Sequence, residues 1–319
     1  MATQSRTRNR FPVDRGLSAR MMTTVFLLFV FYAVLVFVLY SFVKSLAIVI
    51  LIPAALLFAQ YYASDKIALF AMHAKVVDEH QAPQLHAIVD RLCAMADMPK
   101  PRVAVAATDM PNAFATGRNP SHAVVCVTDG IVRRLGYTEE LEAVLAHELS
   151  HVAHRDVAVM TVASFLGIIA GFMTRMLLWS DMLGGLGGGR GRGRNNNAAG
   201  QIVLFELAAL AFSALFYFLS FLLIRALSRY RELAADRAGA ILIGQPRVLA
   251  NALIKVTGEL GRIPMRDLRS AETFNAFFFA PAIAGQRGAS ISTLFQTHPP
   301  LQVRLDQLAR LEAQMGKSA

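Results

Sequence analysis

From Met21 to Tyr62 the chain is apolar almost without interruption, and Lys44 is its one charge. That stretch is about twice the ~20 residues that one helical crossing of a bilayer requires. It predicts two spans with a tight turn around Ser41–Ser45. The pattern then turns to that of an ordinary folded domain. Leu85, Ile88, Val89, Leu92 and Met95 recur at helical spacing between Pro83 and Met98, and Pro99 and Pro101 close the run. Val103–Ala107 and Ala123–Thr128 are short β-rich runs that read as strands. Between them, Met110 to Gly117 reads as a turn and an extended segment. Small residues around Phe114 suit an edge strand whose free main-chain groups can pair with an extended peptide, or else a plain hairpin arm.

A helix is predicted from about Thr138, with no proline or glycine before Gly167. Without a breaker it runs on from Asp156 into the apolar stretch Val157–Trp179, where Gly167 and Gly171 have the spacing of a helix contact face. Gly184–Gly200, rich in glycine, arginine and asparagine, reads as a flexible connector. Ile202–Ile224 is the fourth apolar segment, broken only by Glu206, and leads as one helix into Tyr230–Arg237. The fold class expected is therefore mainly α with a small β-sheet, in an integral membrane protein with about four transmembrane segments. The boundaries are a basic N-terminal segment 1–20, an anchor 21–63, a first domain part 64–156, a second hairpin 157–226 and a second domain part 227–319.

Composition supports this picture: 55% of residues are hydrophobic and 17% charged, and the mean hydropathy is +0.44. The apolar run is too long for a cleaved signal peptide and ends in no small-x-small site. The formal net charge of +10 admits nucleic acid or a membrane surface as partner. The basic residues before the first span, Arg6 to Arg20, lack the interleaved aromatics of a nucleic-acid platform. They instead put that end in the cytoplasm by the positive-inside rule. Arg190, Arg192 and Arg194 in the connector oppose that bias, but Arg133, Arg134 and Arg155 before the hairpin and Arg225, Arg229, Arg231 and Arg237 after it outnumber them. Cys93 and Cys126 are too few for a disulfide framework or a metal knuckle and read as buried reduced thiols.

The chemistry is concentrated in His147-Glu148-Leu149-Ser150-His151. Histidines four apart share one helix face and reach one cation, while the adjacent glutamate reaches a water on it. Chance would place such a string in roughly one chain of this size in a hundred, and in fewer mid-helix. Catalytic zinc sites take three protein ligands and a water, so one ligand is missing. Glu232 is the best candidate, and Asp236, one turn on, can accept the free ring N–H of a ligand histidine. Both carboxylates have a plain reading too, as solvated charges beside Arg231 and Arg237.

Taken together, HELSH, the later ExxxD on a hairpin's exit helix, the Asn112-Ala113-Phe114 segment and Thr297-His298-Pro299-Pro300 resemble the HtpX family of membrane-bound zinc metalloproteases. The likeness covers nearly the whole chain. It implies a gluzincin-like domain on the cytoplasmic face of a bacterial inner membrane, with one Zn2+ held by His147, His151 and Glu232. It further implies Glu148 as base, Asp236 behind a ligand, and Asn112, Ala113 and Phe114 holding substrate. The expected partners are membrane-protein or unfolded polypeptides and the lipid bilayer, in quality control under stress, with no nucleic acid. Oligomeric state is not indicated. Two departures are His154, where asparagine is more usual, and the long connector. A third helical ligand is unsupported, because the position six after His151 is Val157.

The developing oxyanion needs a donor. His298, held rigid by two prolines, is the first candidate and Arg304 the second; a buried or capping histidine is the plain alternative. At ~1.5 Å per residue the metal lies roughly 10–15 Å from the bilayer, with Arg225, Arg229 and Arg231 at the headgroups and Phe274–Phe279 as a lid or lipid-dipping loop. Two other classes remain: a non-proteolytic zinc-binding scaffold or sensor, which would need neither Glu148 nor Asp236, and a prenyl-protein processing peptidase, which would need more spans.

Overall fold

The structure, a computed structural model, describes residues 15–43, 46–161, 163, 165, 196–260 and 298–316. The turn at Lys44–Ser45, most of Val157–Trp179 with Gly167 and Gly171, connector residues 184–195, Phe274–Phe279 and Thr297 lie outside the described residues.

Two long apolar helices come first, α1 (Arg15–Val43) and α2 (Leu46–Ala71). Then follow β1 (Ala74–Val76), α3 (Pro83–Ala96), β2 (Arg102–Ala106), β3 (Ala113–Thr116), β4 (Val124–Thr128), α4 (Asp129–Leu135) and α5 (Glu139–Ala153). After a short helical stretch at 156–161 come α6 (Asn196–Ile243), α7 (Pro246–Leu260) and α8 (Leu301–Gly316). Mainly helical with one small sheet, the chain has the expected class. Among the described residues one helix, over Gly16–Val34, is long and apolar enough to cross a bilayer.

The sheet is mixed, in the order β1-β2-β4-β3. β2 and β4 run parallel, with Val103 opposite Val125, and β3 pairs antiparallel with β4, with Phe114 opposite Cys126. β3 therefore lies at an edge, one of the two readings open for the small residues around Phe114. β1, three residues long, was not expected from the pattern. Side chains alternate across the pleat. Val103, Val125, Val127 and Ala113 face the main core of α3, α4, α5, α7 and α8. Ala104, Ala106, Phe114, Val124 and Cys126 face the other way, against Ala68 and Leu69 of α2 and Met72 just after it. The anchor helix thus does not stop at Tyr62. It continues nine residues further and covers one side of the sheet.

Thr138 caps α5, its hydroxyl accepting from the Glu140 N–H, and Glu139, Glu140 and Glu142 complement the positive end of the helix dipole. Leu141, Leu145 and Leu149 are fully buried, each worth about 1.5–3 kcal/mol relative to exposure. Contrary to the uninterrupted helix expected, α5 ends at Ala153. His154 is its C-cap, and Arg155 adopts φ 56°, a left-handed conformation rare outside glycine. The chain turns there before Asp156.

α6 is one helix of 48 residues, about 72 Å long at 1.5 Å per residue. It begins at Asn196, inside the stretch expected to be connector, and carries the exit segment straight into Glu232 and Asp236. It crosses α5 at Gly239, where an added Cβ would stand 2.8 Å from the His147 backbone nitrogen. Only glycine lets the two helices close to this distance. Cys93 and Cys126 are buried free thiols, and burial pushes them up to about 11 and about 12.

Candidate metal centre

His147 and His151 project from the last turns of α5 toward α6, and their Nε2 atoms lie 3.2 Å apart. Glu232 meets both, with Oε2 3.7 Å from His147 Nε2 and Oε1 3.5 Å from His151 Nε2. A tetrahedral ion with nitrogen and oxygen ligands at about 2.0–2.1 Å spaces those ligands about 3.4 Å apart. The three donors fit such an ion.

The far sides of both rings support the same reading. Asp236 Oδ1 lies 2.9 Å from His147 Nδ1, and Asp156 Oδ2 lies 2.6 Å from His151 Nδ1. A carboxylate there fixes the proton on Nδ1 and leaves the Nε2 lone pair pointing inward. Two inward lone pairs at 3.2 Å need a cation between them, a proton in the metal-free protein or a metal ion in its place. Each carboxylate is itself held by an arginine. Arg304 grips Asp236 with two bonds, Nε–Oδ2 at 2.7 Å and a terminal nitrogen to Oδ1 at 2.6 Å. Arg231 Nε lies 3.0 Å from Asp156 Oδ1.

Two of these residues lie elsewhere than the sequence predicts. The pattern makes Asp156 part of a continuous helix, yet the left-handed turn at Arg155 aims it back at His151. The expectation for Arg231 is the headgroups, but it is 8% exposed and paired with Asp156. Arg304, the second candidate oxyanion donor, is 1% exposed, with Nε and one terminal nitrogen on Asp236 and the other 3.8 Å from Glu232 Oε2. The signal for Asp156 was present in its position five residues after His151, but only a helix break brings it within reach. Gly239 could have been read as a contact glycine two turns after Glu232.

Glu148 is 4% exposed and accepts a hydrogen bond from the Ala115 N–H of β3 at 2.9 Å. Burial raises its carboxyl to about 8. Burial lowers His147. It also works against the His151 imidazolium, but hydrogen bonds to Asp156 and Glu232 outweigh it and hold the ring up at about 10. Burial would raise Glu232, Asp156 and Asp236 too. His298 and His151 keep Glu232 well below the usual carboxylate range, Arg231 and His151 lower Asp156, and Arg304 lowers Asp236. Neither Glu232 nor Asp236 is a solvated helix charge: they are 9% and 0% exposed.

His298, 3% exposed, sets Nδ1 3.1 Å from Glu232 Oε2. Asn112 is fully buried behind β3, its main chain tied to Thr128. Ala113 and Phe114 join the histidines and Glu148 in lining a cavity of about 610 Å³. Its remaining walls come from α2, residues 157–161 and α6. The arrangement presents three potential metal donors, a buried carboxylate and an edge strand on one hollow.

The crystal structure of S. mikatae Ste24p aligns with this chain at a TM-score of 0.49 and 17% identity, covering 92% of this chain and 66% of its own. Protease HtpX homolog 1 of Streptomyces coelicolor is 54% identical over 310 residues, 97% of each chain. Protease HtpX homolog of Moorella thermoacetica is 51% identical over 308 residues, 97% of this chain and 98% of its own. Residues 79–312, which hold both halves of the centre, match the family model Peptidase family M48. With HExxH on one helix, its third donor on another and that match across both, this chain is a metallopeptidase belonging to Peptidase family M48.

Proposed function

We propose that this protein is a membrane-embedded zinc endopeptidase in which His147, His151 and Glu232 hold the ion and Glu148 is the general base. The observation that carries the reading is the trio of donors at tetrahedral spacing with both histidine Nδ1 atoms held by carboxylates. When bound, zinc supplies an acidified water and a Lewis acid for the scissile carbonyl. Glu148 takes the proton of the attacking water and passes it to the leaving amine. An extended substrate lies along β3, beside Glu148, with main-chain pairing for affinity. His298, against Glu232, is the candidate donor to the developing oxyanion, whereas Arg304 acts through Asp236.

Four spans, a cytoplasmic catalytic face and a bacterial inner-membrane location complete the proposal, with polypeptides of damaged or unfolded membrane proteins as substrates in quality control. The domain part 64–156 and the part 227–319 then close together beneath the second hairpin. Supporting this, α1, α2 and α6 expose large apolar side chains, among them Phe26 at 63%, Phe37 at 71%, Phe58 at 62% and Leu215 at 57%. Such a belt suits lipid. Its relatives named above are called proteases, which agrees.

The test is cleavage of an unfolded membrane protein by purified protein in detergent, comparing wild type with Glu148→Gln and quantifying zinc in both. The substitution keeps the ligands and removes the base, so turnover should fall about 10²–10⁴-fold with zinc retained. Equal turnover in both would reject Glu148 as base. No turnover in either, at full zinc, would leave a zinc-binding scaffold.

A further inference from the structure

The anchor helix α2 does more than hold the chain in a membrane. Its last turns lie on the sheet face opposite α5, fixed at several points. Ala68, Leu69 and Met72 pack on Ala104, Phe114 and Cys126. The Tyr61 hydroxyl donates to the Arg118 carbonyl at 2.9 Å, Arg118 sits 5.0 Å over the Tyr62 ring, and Arg102 pairs with Asp65 at 2.6 Å. Gln60, Ser64 and Ile67, at i, i+4 and i+7, form the neighbouring stripe of the same helix. That stripe turns into the cavity of the metal centre, alongside the free edge of β3.

The sheet dictates what such a stripe would meet. A strand added at β3 continues the pleat, so its side chains alternate between the two faces. One set joins the face of Ala113 and Ala115, toward α5. The other joins the face of Phe114, which α2 covers. We infer that α2 is the specificity wall of the peptidase: Gln60, Ser64 and Ile67 contact every second residue of an extended substrate. This rests on the proposal that substrate pairs with β3.

The chemistry of the stripe indicates what it selects. Gln60 offers an amide that both donates and accepts. The Ser64 hydroxyl donates to the Tyr61 carbonyl at 3.0 Å, which leaves its oxygen to accept. Such groups favour small or neutral polar side chains on the residues facing α2. The opposite lining sets Met160, Phe221 and Ile224 beside Thr161, Arg225 and Ser228, so the alternation of the substrate is read by α2.

The first experiment is proximity capture by the full-length Ser64→Cys, Glu148→Gln protein, zinc loaded, in detergent. Cys93 and Cys126 are buried, so the new thiol is the reactive one. A series of peptides bears a bromoacetyl group moved one residue at a time, and peptide binding is followed separately by anisotropy. Alkylation should peak at every second position, about tenfold above the intervening ones. Capture with no two-residue period, or none while peptide is bound, overturns the inference.

A second measurement uses Gln60→Leu. The ratio of kcat/KM for peptides with asparagine against leucine at a facing position should shift about tenfold toward leucine, with zinc content unchanged and peptides varied at intervening positions ranked as in wild type. An unchanged ratio also overturns the inference. A wild-type protein that holds zinc and cleaves no peptide would instead defeat the endopeptidase reading itself.

Discussion

His147 and His151 stand one turn apart on one helix, yet their surroundings differ. Behind His147 lie Asp236 and Arg304, whose side chains are 0% and 1% accessible, deep among α5, α6 and α8. Behind His151 lie Asp156 and Arg231, at 4% and 9%, where the chain leaves α5 and where α6 returns. The first pair is a two-pronged grip inside the domain core. The second is a single contact just after the end of α5. The same task, fixing an imidazole by a carboxylate and the carboxylate by an arginine, is thus done once rigidly and once at a junction. A charge removed from the first has no water to replace it, whereas the second lies close to the cavity.

The largest effect of breaking this symmetry is expected from Arg304→Met, which leaves Asp236 charged, buried and unpaired. Unfolding in detergent should show a loss of about 3–5 kcal/mol, with Arg231→Met losing clearly less. Equal losses would mean that the two halves are energetically alike. Next come Asp236→Asn and Asp156→Asn, which should each weaken zinc affinity about 10–100-fold, measured by competition with a chromogenic chelator. Wild-type affinity in both would remove the carboxylates from the account. Gly239→Ala separates α5 from α6 and should destabilise by about 1–3 kcal/mol; full stability would show that the helices can part freely.

The smallest effect is one of pH. His151 is held up to about 10, against an ordinary 6.5, so its contribution in the metal-free protein is complete below about 6.5 and lost as pH rises through 10. Glu148, raised to about 8 by burial, has the same sign: ionising it costs stability between about 4.5 and 8. Zinc replaces the proton on the ligands. The melting temperature without zinc should therefore fall between pH 6.5 and 9, and the gap between zinc-loaded and zinc-free protein should widen. A gap independent of pH would contradict the protonation states assigned to these residues.

What could be read from the sequence was local. HExxH declares itself because two histidines at a fixed helical offset have one geometric meaning, and the exit helix could be followed from Ile202 to Asp236 because nothing in it breaks a helix. The β2 and β4 runs followed from β-rich residues, whereas the small residues around Phe114 left an edge strand and a plain hairpin arm both open. The misses share a physical cause. Asp156 reaches His151 only through a left-handed Arg155, a conformation that arginine gives no warning of. Arg231 looked like a headgroup residue because its partner lies 75 positions earlier. The final nine residues of α2 read as domain because the apolar pattern ended, although Ala68 and Leu69 still had a sheet to cover. Gly239 lay in a helix otherwise rich in alanine, and only the approach of a second helix gives its missing side chain a purpose.

The order in which the donors appear along the chain bears on biosynthesis. A nascent polypeptide carries His147 and His151 as soon as α5 is made, but Glu232 follows only after a long intervening stretch, and Arg304 comes 68 residues after the Asp236 that it grips. Until Glu232 is made, the growing chain holds two of the three donors. The two halves of the centre are therefore joined only after Glu232 has been made, and Asp236 gains its arginine later still.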